Sequence, residues 1–364
     1  MEKNDNRTNV IANNKRSQSN KRNNRSSKSN KRNGKKRKFS IRLFLGFIVF
    51  QLVFGALTCL FVLYYGPFEN SKKIFVGTAL NSMHYQWLAT SFLSDSQIEK
   101  ITGSKSGEQT AKISNEIDTS SVQIKRLNDE GIEKMEFYGN NYYGYALVIN
   151  DPTRVKVGYS SSLNDANPVG EETSVIAENN DAVAAINGGA FTDAKDTAKW
   201  SANGGSPSGV IITDGKVIYD DLAGGASKVT AIDKNGYLFG GSYTTQELID
   251  RGVSEAVSFN ASPIVLGGEK LPIKDEAGMG VMSKTLIGQK ADGEIVLVVL
   301  DSRNNNKIAA TLEECQDVMI DLGCMVAIPL DGGKSTTMYY NGEVINNPTY
   351  VYGERPIPTA IIVK

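Results

Sequence analysis

The chain changes texture three times along its length. From Leu43 to Tyr65 the run LFLGFIVFQLVFGALTCLFVLYY carries no charge across 23 positions. Wound as a helix it would reach about 35 Å, enough for the hydrocarbon core of a bilayer. Residues 68–100 then alternate apolar and polar positions at helical spacing, with Phe75, Leu80, Trp87, Leu88 and Phe92 on the apolar faces. This predicts a helical stalk, with His84 placed on it far from any chemistry. A polar stretch of Gly, Ser, Lys and Thr around 102–121 reads as a linker. From about residue 130 short β-prone runs alternate with Gly, Asn and Asp, and all six Gly-Gly pairs of the chain fall there.

The clearest local architecture lies near the C-terminus. Glu294 to Leu300, EIVLVVL, is a continuous apolar run of buried-strand type ending at Asp301. Thr311-Leu312-Glu313-Glu314 is a capping-box signature, followed by Leu312, Cys315, Met319 and Leu322 at helical spacing until Gly323. Cys324 to Leu330 is a second apolar strand, ending at Asp331. Strand, helix and strand at this length form a crossover, so the two strands should be parallel. Asp301 and Asp331 should then emerge at one edge of the sheet, about 5 Å apart for neighbouring strands and about 10 Å with one strand between. A third run, Asp181 to Ile186, leads into Asn187-Gly188-Gly189 and predicts a further strand end of the same kind. The fold expected is α/β to α+β, a mixed β-sheet domain with crossover helices, preceded by a single transmembrane helix and a helical stalk.

Gly333-Lys334-Ser335 imitates the end of a phosphate-binding P-loop. The glycine that such a loop needs earlier is Ile328 here, and Thr336 to Ile345 is β-prone with an Asn341-Gly342 turn rather than helical. A nucleotide cradle is not expected.

A formal net charge of zero conceals segregation. Before residue 43 there are 15 Lys/Arg against 2 Asp/Glu; after it 25 against 38, so the remainder carries −13. A basic flank before an apolar span places that flank in the cytoplasm. The domains expected are a disordered basic tail (1–42), a transmembrane helix (43–66), stalk and linker (67–129) and an extracellular domain (130–364) of a single-pass cell-membrane protein. No aromatic residue precedes Phe39 to stack on bases, so no nucleic-acid partner is expected. Cys59 falls in the span, and Cys315 and Cys324 flank the predicted helix as core residues.

The one histidine, His84, precedes the large domain, which removes Ser-His-Asp hydrolysis and histidine-centred metal sites. No metal and no cofactor are expected. Carboxylates, Lys, Arg, Asn and Ser remain, the side chains of glycosyl and phosphoryl chemistry. Strand-end Asp301, Asp331 and Asn187 either form a site where ligands collect at carboxyl edges or simply cap their strands. Glu354-Arg355, directly before the closing strand, is a site pair or an exposed ion pair.

Five ordered motifs extend this reading: AAINGGAFTD (184–193), GGSPSGVIITDGKVI (204–218), KTLIGQKADGEIVLVVLDSR (284–303), TLEECQDVMIDLGCMVAIPLDGGKSTTMYYNGEVINNP (311–348) and ERPIPTAIIV (354–363). Together they resemble the phosphodiester glycosidase family, whose bacterial relatives are often labelled exopolysaccharide biosynthesis proteins. The resemblance covers roughly 130–364. It implies hydrolysis of a sugar joined through its anomeric carbon to a phosphodiester, here in a cell-wall or exported glycopolymer. The alternatives are a noncatalytic glycopolymer-binding module and a transferase in exopolysaccharide assembly.

Under that resemblance Asp331 is the first choice for the carboxylate at the anomeric centre, and Asp301 or Glu354 the second. Arg355 and Lys284 would clamp the departing phosphate, with backbone amides of Gly332, Gly333 and Ser335 as an anion nest. Asn187, with Gly188 and Gly189, would hold a sugar hydroxyl or the phosphate, and Arg303 and Lys334 would add contacts to substrate. Two positions depart from the family pattern: Lys284 stands where relatives usually carry Arg, and Lys334 where they usually carry a third glycine.

Overall fold

The computed structural model describes residues 40–68, 71–72, 75–76, 79, 87–102, 121–192, 204–273, 280–303, 309–350 and 352–364. The basic tail, Leu80, His84 and most of the expected linker lie outside them. Ile41–Tyr65 is a helix of 25 residues, apolar on every side and long and apolar enough to cross a membrane.

Within the region expected to form a helical stalk, the described residues 71–72, 75–76 and 79 are helical. Two short helices, Trp87–Thr90 and Asp95–Thr102, contribute to a small cluster in which Tyr64, Val76, Ala79, Ala89 and Leu93 are buried. The Tyr64 ring stacks on Phe92 at 5.4 Å and meets Phe75 edge-on at 5.8 Å. The break between the helices is chemical. Ser94 begins a capping sequence, its N–H donating to Gln97 Oε1 at 3.0 Å, which starts a new helix.

Residues just before 130 are attached to the large domain. Gln123 and Lys125 donate their amides to Ala291 and Asp292 carbonyls, and Val122 is buried. The domain is built on three antiparallel sheets. The largest has seven strands in the order Ile132–Tyr138, Tyr142–Ile149, Ile295–Ser302, Lys284–Lys290, Cys324–Pro329, Val265–Leu266, Glu269–Lys270. A five-stranded sheet runs Leu238–Thr244, Ala226–Asp233, Val253–Ser258, Val210–Thr213, Lys216–Asp220. Another runs Glu343–Val344, Met338–Tyr340, Ala184–Asn187, Thr359–Val363, Val155–Tyr159.

One core joins all three, drawing Leu297 and Ile328 from the first sheet, Ile211 and Val257 from the second, and Ile186 and Ile361 from the third. Helices cover outer faces. Leu286, Val296, Val298 and Leu300 turn away from the shared core and bury against Cys315, Val318 and Met319 of the Leu312–Asp321 helix. A strand covered on both faces has no polar side, which explains the unbroken apolar run EIVLVVL.

The crossover is as expected. Ile295–Ser302 and Cys324–Pro329 both pair antiparallel with Lys284–Lys290, so they are parallel to each other with one strand between. Thr311 and Glu314 complete the capping box, and Gly323 at φ +82 ends the helix. The Asn341-Gly342 turn closes a two-residue hairpin with Tyr340 opposite Glu343, both turn residues having positive φ. Cys315 and Cys324 are buried and free.

The third predicted strand belongs elsewhere. Ala184–Asn187 does not lie in the sheet of the crossover pair but in the third sheet, antiparallel to both its neighbours. Its short, alanine-rich sequence is buried on both faces, Ala184 and Ile186 toward the shared core and Ala185 toward the Thr173–Asn179 helix.

Candidate active site

Asp331 opens a loop that ends in a single 3-10 turn, Gly333–Ser335. Backbone bonds dock this loop on the adjacent strand and the turn before it: Leu330 N–H donates to Thr285 O and Gly333 N–H to Ser283 O, each at 2.8 Å. Two glycines are required, for different reasons. A Cβ on Gly332 would lie 2.7 Å from Ser283 O, and Gly333 has φ +64. No helix starts here, consistent with a loop that is not a nucleotide cradle.

Asn187 arrives from the third sheet beneath the loop. Its Nδ2 donates to Asp331 O at 2.6 Å, while Oδ1 accepts from Thr285 Oγ1 at 2.7 Å and Thr337 N at 3.2 Å. The residue is fully buried. It was expected to hold substrate; instead its side chain ties two sheets to the loop. Gly188 and Gly189 are likewise structural. A Cβ on Gly188 would meet the Thr359 backbone at 2.7 Å, and one on Gly189 the Ser258 carbonyl at 2.6 Å.

Arg355 reaches the same loop from the other side. Its Nη1 donates to Ser335 Oγ at 3.4 Å, and its guanidinium lies 4.6 Å from the centre of the Phe191 ring. A planar cation laid on an aromatic face keeps its orientation at low entropic cost. Asp331 and Arg355 are both half-buried, and Lys334 in the same loop is exposed. A carboxylate and two cations thus gather at one five-residue loop.

Asp301 takes a different role from the one expected. It is 2 % exposed. Oδ2 accepts from Asn347 N at 2.7 Å and Oδ1 from Asn346 Nδ2 at 3.3 Å. Asn346 passes the linkage on, donating to Thr336 O at 3.1 Å and accepting from Met338 N at 2.7 Å. Burial pushes the Asp301 carboxyl up to about 6, against the opposing pull of hydrogen bonds from Asn347, Asn346, Tyr143 and Ser283. Burial, then the Asp301 charge, raises the Tyr143 phenol. This group braces the 336–347 segment from below.

Lys284, expected in the phosphate clamp, Glu354, a second-choice carboxylate, and Arg303, an expected substrate contact, each bind other parts of the protein. Lys284 is wholly buried, and its Nζ donates to three backbone carbonyls: Met282 at 2.6 Å, Gly280 at 2.8 Å and Ala310 at 3.0 Å. All three ammonium protons are used, so none is left for a phosphate. Burial lowers this ammonium to about 8. Glu354 faces the start of the Thr173–Asn179 helix, accepting from Ser174 N at 3.0 Å and Ser174 Oγ at 2.5 Å. It supplies the cap that Glu172, at the N-cap position, does not. Burial raises its carboxyl, with Ser174 opposing. Arg303 is exposed and held at the Gly139–Asn141 turn, on the far side of the Ile295–Ser302 strand from Asp331.

The anion nest also falls away. Gly332 N–H donates to the Asp331 carboxylate at 3.0 Å, Gly333 N–H to Ser283 O at 2.8 Å and Ser335 N–H to Gly332 O at 3.2 Å. The sequence reading gave no role to Phe191, Ser174, Tyr143, Asn346 or Asn347. The first motif, AAINGGAFTD, already contained Phe191, and the Asn-Asn-Pro ending of the fourth contained Asn346 and Asn347.

This arrangement of three sheets around a strand-end loop has known counterparts. A family model described as phosphodiester glycosidase matches residues 180–364, half of the chain. The chain belongs to the phosphodiester glycosidase family. The catalytic domain of zebrafish N-acetylglucosamine-1-phosphodiester alpha-N-acetylglucosaminidase, auto-inhibited by its pro-peptide, has the same fold: TM-score 0.52 at 20% identity, over 66% of this chain and 86% of that one. A hypothetical protein from Synechocystis is similar at TM-score 0.45 and 13% identity, over 64% of this chain and 62% of its own. The SPbeta prophage-derived uncharacterized protein YomE of Bacillus subtilis (strain 168) is 34% identical over 61 residues, 17% of this chain. The match spans a tenth of that relative's length.

Proposed function

We propose that this chain is a membrane-anchored hydrolase, its large domain outside the cell, that cleaves sugar-1-phosphodiester linkages in cell-wall or exported glycopolymers. Family membership supports the reaction class. The observation that carries the site is that Arg355 reaches the loop opened by Asp331, its guanidinium held by Ser335 Oγ and the Phe191 ring. The Ile41–Tyr65 helix and the basic residues before it support the anchor and its orientation.

In the proposed reaction the bond between the anomeric carbon and the phosphate oxygen breaks, and water supplies the new anomeric hydroxyl. The leaving group is a phosphate monoester, already acidic, so protonation by a strong general acid is dispensable. Asp331 would stabilise positive charge developing at the anomeric carbon. Arg355 would hold the departing phosphate in planar contact, with the exposed Lys334 as a second cation. Asp301 and Asn187 act behind them, as positioning residues for the segments on which these groups stand.

The direct test is to incubate the full chain in detergent micelles with a synthetic sugar-1-phosphodiester and follow free reducing sugar. Release that depends on Asp331 is the expected result. Binding without release, by a protein shown to be folded, would overturn the assignment as a hydrolase.

A further inference from the structure

Ile132–Tyr138 is an outer strand of the seven-stranded sheet. The Tyr142–Ile149 strand lies on one side of it and, among the described residues, no strand lies on the other. The bonds at its two ends show which main-chain groups are spare. Gly139 N–H donates to Tyr142 O at 2.8 Å, and Asn150 N–H donates to Gly131 O at 3.1 Å. Antiparallel bonds alternate, so the odd-numbered residues between these points turn their main-chain groups inward. Ile132, Lys134, Glu136 and Tyr138 turn theirs outward, to the open edge.

An open edge is usually kept short, bulged or covered. The other outer strands of the three sheets follow that rule. Glu269–Lys270 and Glu343–Val344 have two residues each, and the register of Lys216–Asp220 shifts beside Ile211 and Ile212. Neither Val155–Tyr159 nor Leu238–Thr244 has an exposed residue. Ile132–Tyr138 has seven residues, no proline and an unbroken register, and most of its side chains are exposed.

Charge is the device left to guard this edge. Lys134 and Glu136 stand on one face, joined at 3.0 Å, with Lys134 Nζ 5.4 Å from the centre of the Tyr145 ring. A lone charge would oppose an incoming strand. Two of opposite sign, two positions apart, instead fit a strand that carries them in reverse order.

An antiparallel copy of the same strand carries that order. With a twofold axis through Met135, Lys134 faces the second copy's Glu136, and Glu136 faces the second copy's Lys134. Ile132 and Tyr138 face each other in the same way, so all the outward main-chain groups find partners. Moving the axis to Lys134 or to Glu136 would set like charges directly opposite. We propose that the Ile132–Tyr138 edge pairs with the same edge of a second copy of this chain, antiparallel and centred on Met135. The two seven-stranded sheets then become one, whatever reaction the Asp331 loop performs.

In this register the two Met135 residues form a non-hydrogen-bonded pair with α-carbons about 4.5 Å apart, within disulfide reach, while the two Glu133 lie about 14 Å apart. The full chain in micelles, carrying Cys59→Ser to remove the exposed native thiol, is the material for the test. Met135→Cys should give a disulfide-linked dimer on mild oxidation, and Glu133→Cys at least ~10-fold less. Pull-down between two differently tagged chains then reads the charges, with circular dichroism showing each variant folded. Lys134→Glu and Glu136→Lys should each weaken self-association at least ~10-fold, whereas mixing the two variants, or placing both changes in one chain, should restore it. No cross-link at 135, equal cross-linking at 133 and 135, or single charge variants that associate like wild type would overturn the proposal. So would a monomer whose Ile132–Tyr138 amides resist hydrogen exchange, since another segment of the same chain would then cover the edge.

Discussion

Asn187 and Asp331 belong to different parts of the fold, yet Asn187 Nδ2, from the third sheet, donates to the Asp331 main-chain carbonyl at 2.6 Å. The same side chain accepts from Thr285 and Thr337, so its full hydrogen-bonding capacity on the acceptor side is spent inside the protein. It is the joint on which the Asp331 loop rests. Replacing it tests the loop without touching the proposed chemistry.

Asn187→Leu leaves the Asp331 carbonyl, the Thr285 hydroxyl and the Thr337 amide short of partners in a dry interior. A loss of roughly 2–4 kcal/mol is expected, since each stranded buried group costs about 1–3 kcal/mol and relaxation recovers part. Urea unfolding of the full chain in micelles would measure it. A loss within ~0.5 kcal/mol would mean that the joint is not tight.

Asp331→Asn keeps the shape of the side chain and its acceptor for Gly332 N–H, but removes the charge. Turnover of a sugar-1-phosphodiester should fall at least ~10²-fold with KM little changed. Arg355→Lys removes the planar fork from Phe191 and should impair both kcat and KM, because phosphate is present before and during bond breaking. Near-full turnover by folded Asp331→Asn protein would transfer the role to another group.

Burial raises the Asp301 carboxyl to about 6, above the ordinary aspartate range. A folded-state value raised above the unfolded one means that the native state takes up a proton the unfolded chain has already lost. The resulting stability is present below pH ~4 and disappears as pH rises through about 6, a change of at most ~3 kcal/mol. Asp301→Asn cannot titrate, so the stability difference between wild type and variant should shrink over that interval in favour of the variant. Parallel pH dependences of the two proteins would contradict the assignment.

Lys284 runs the opposite way. Its ammonium is lowered to about 8 by burial, so holding it charged costs stability at neutral pH, and that cost is relieved as pH rises from about 8 towards 10. Lys284→Met removes the charge but strands three carbonyls, and should destabilise by about 1–3 kcal/mol at pH 7. Melting curves at pH 7 and pH 9.5 should show wild type gaining on Lys284→Met at the higher pH. A gap unchanged between the two pH values would place the ammonium in a wetter site.

Residues 294–331 were legible because every signal in them is local. Thr311 and Glu314 lie one helical turn apart, Gly323 stops the helix it follows, and a crossover of this length fixes parallel strands whose ends share an edge. The Asn341-Gly342 hairpin and the apolar Ile41–Tyr65 helix could be read for the same reason. The partners of Lys284, Asn187 and Asp301 could not. Lys284 looks like a free cation until the chain brings Ala310 over it, and Asn187 like a strand-end ligand until the third sheet sets it under Asp331. Spacing along a chain reports which backbone conformation a residue favours. Whether its polar atoms face water, substrate or another sheet is decided by contacts from distant segments, which only tertiary packing assembles.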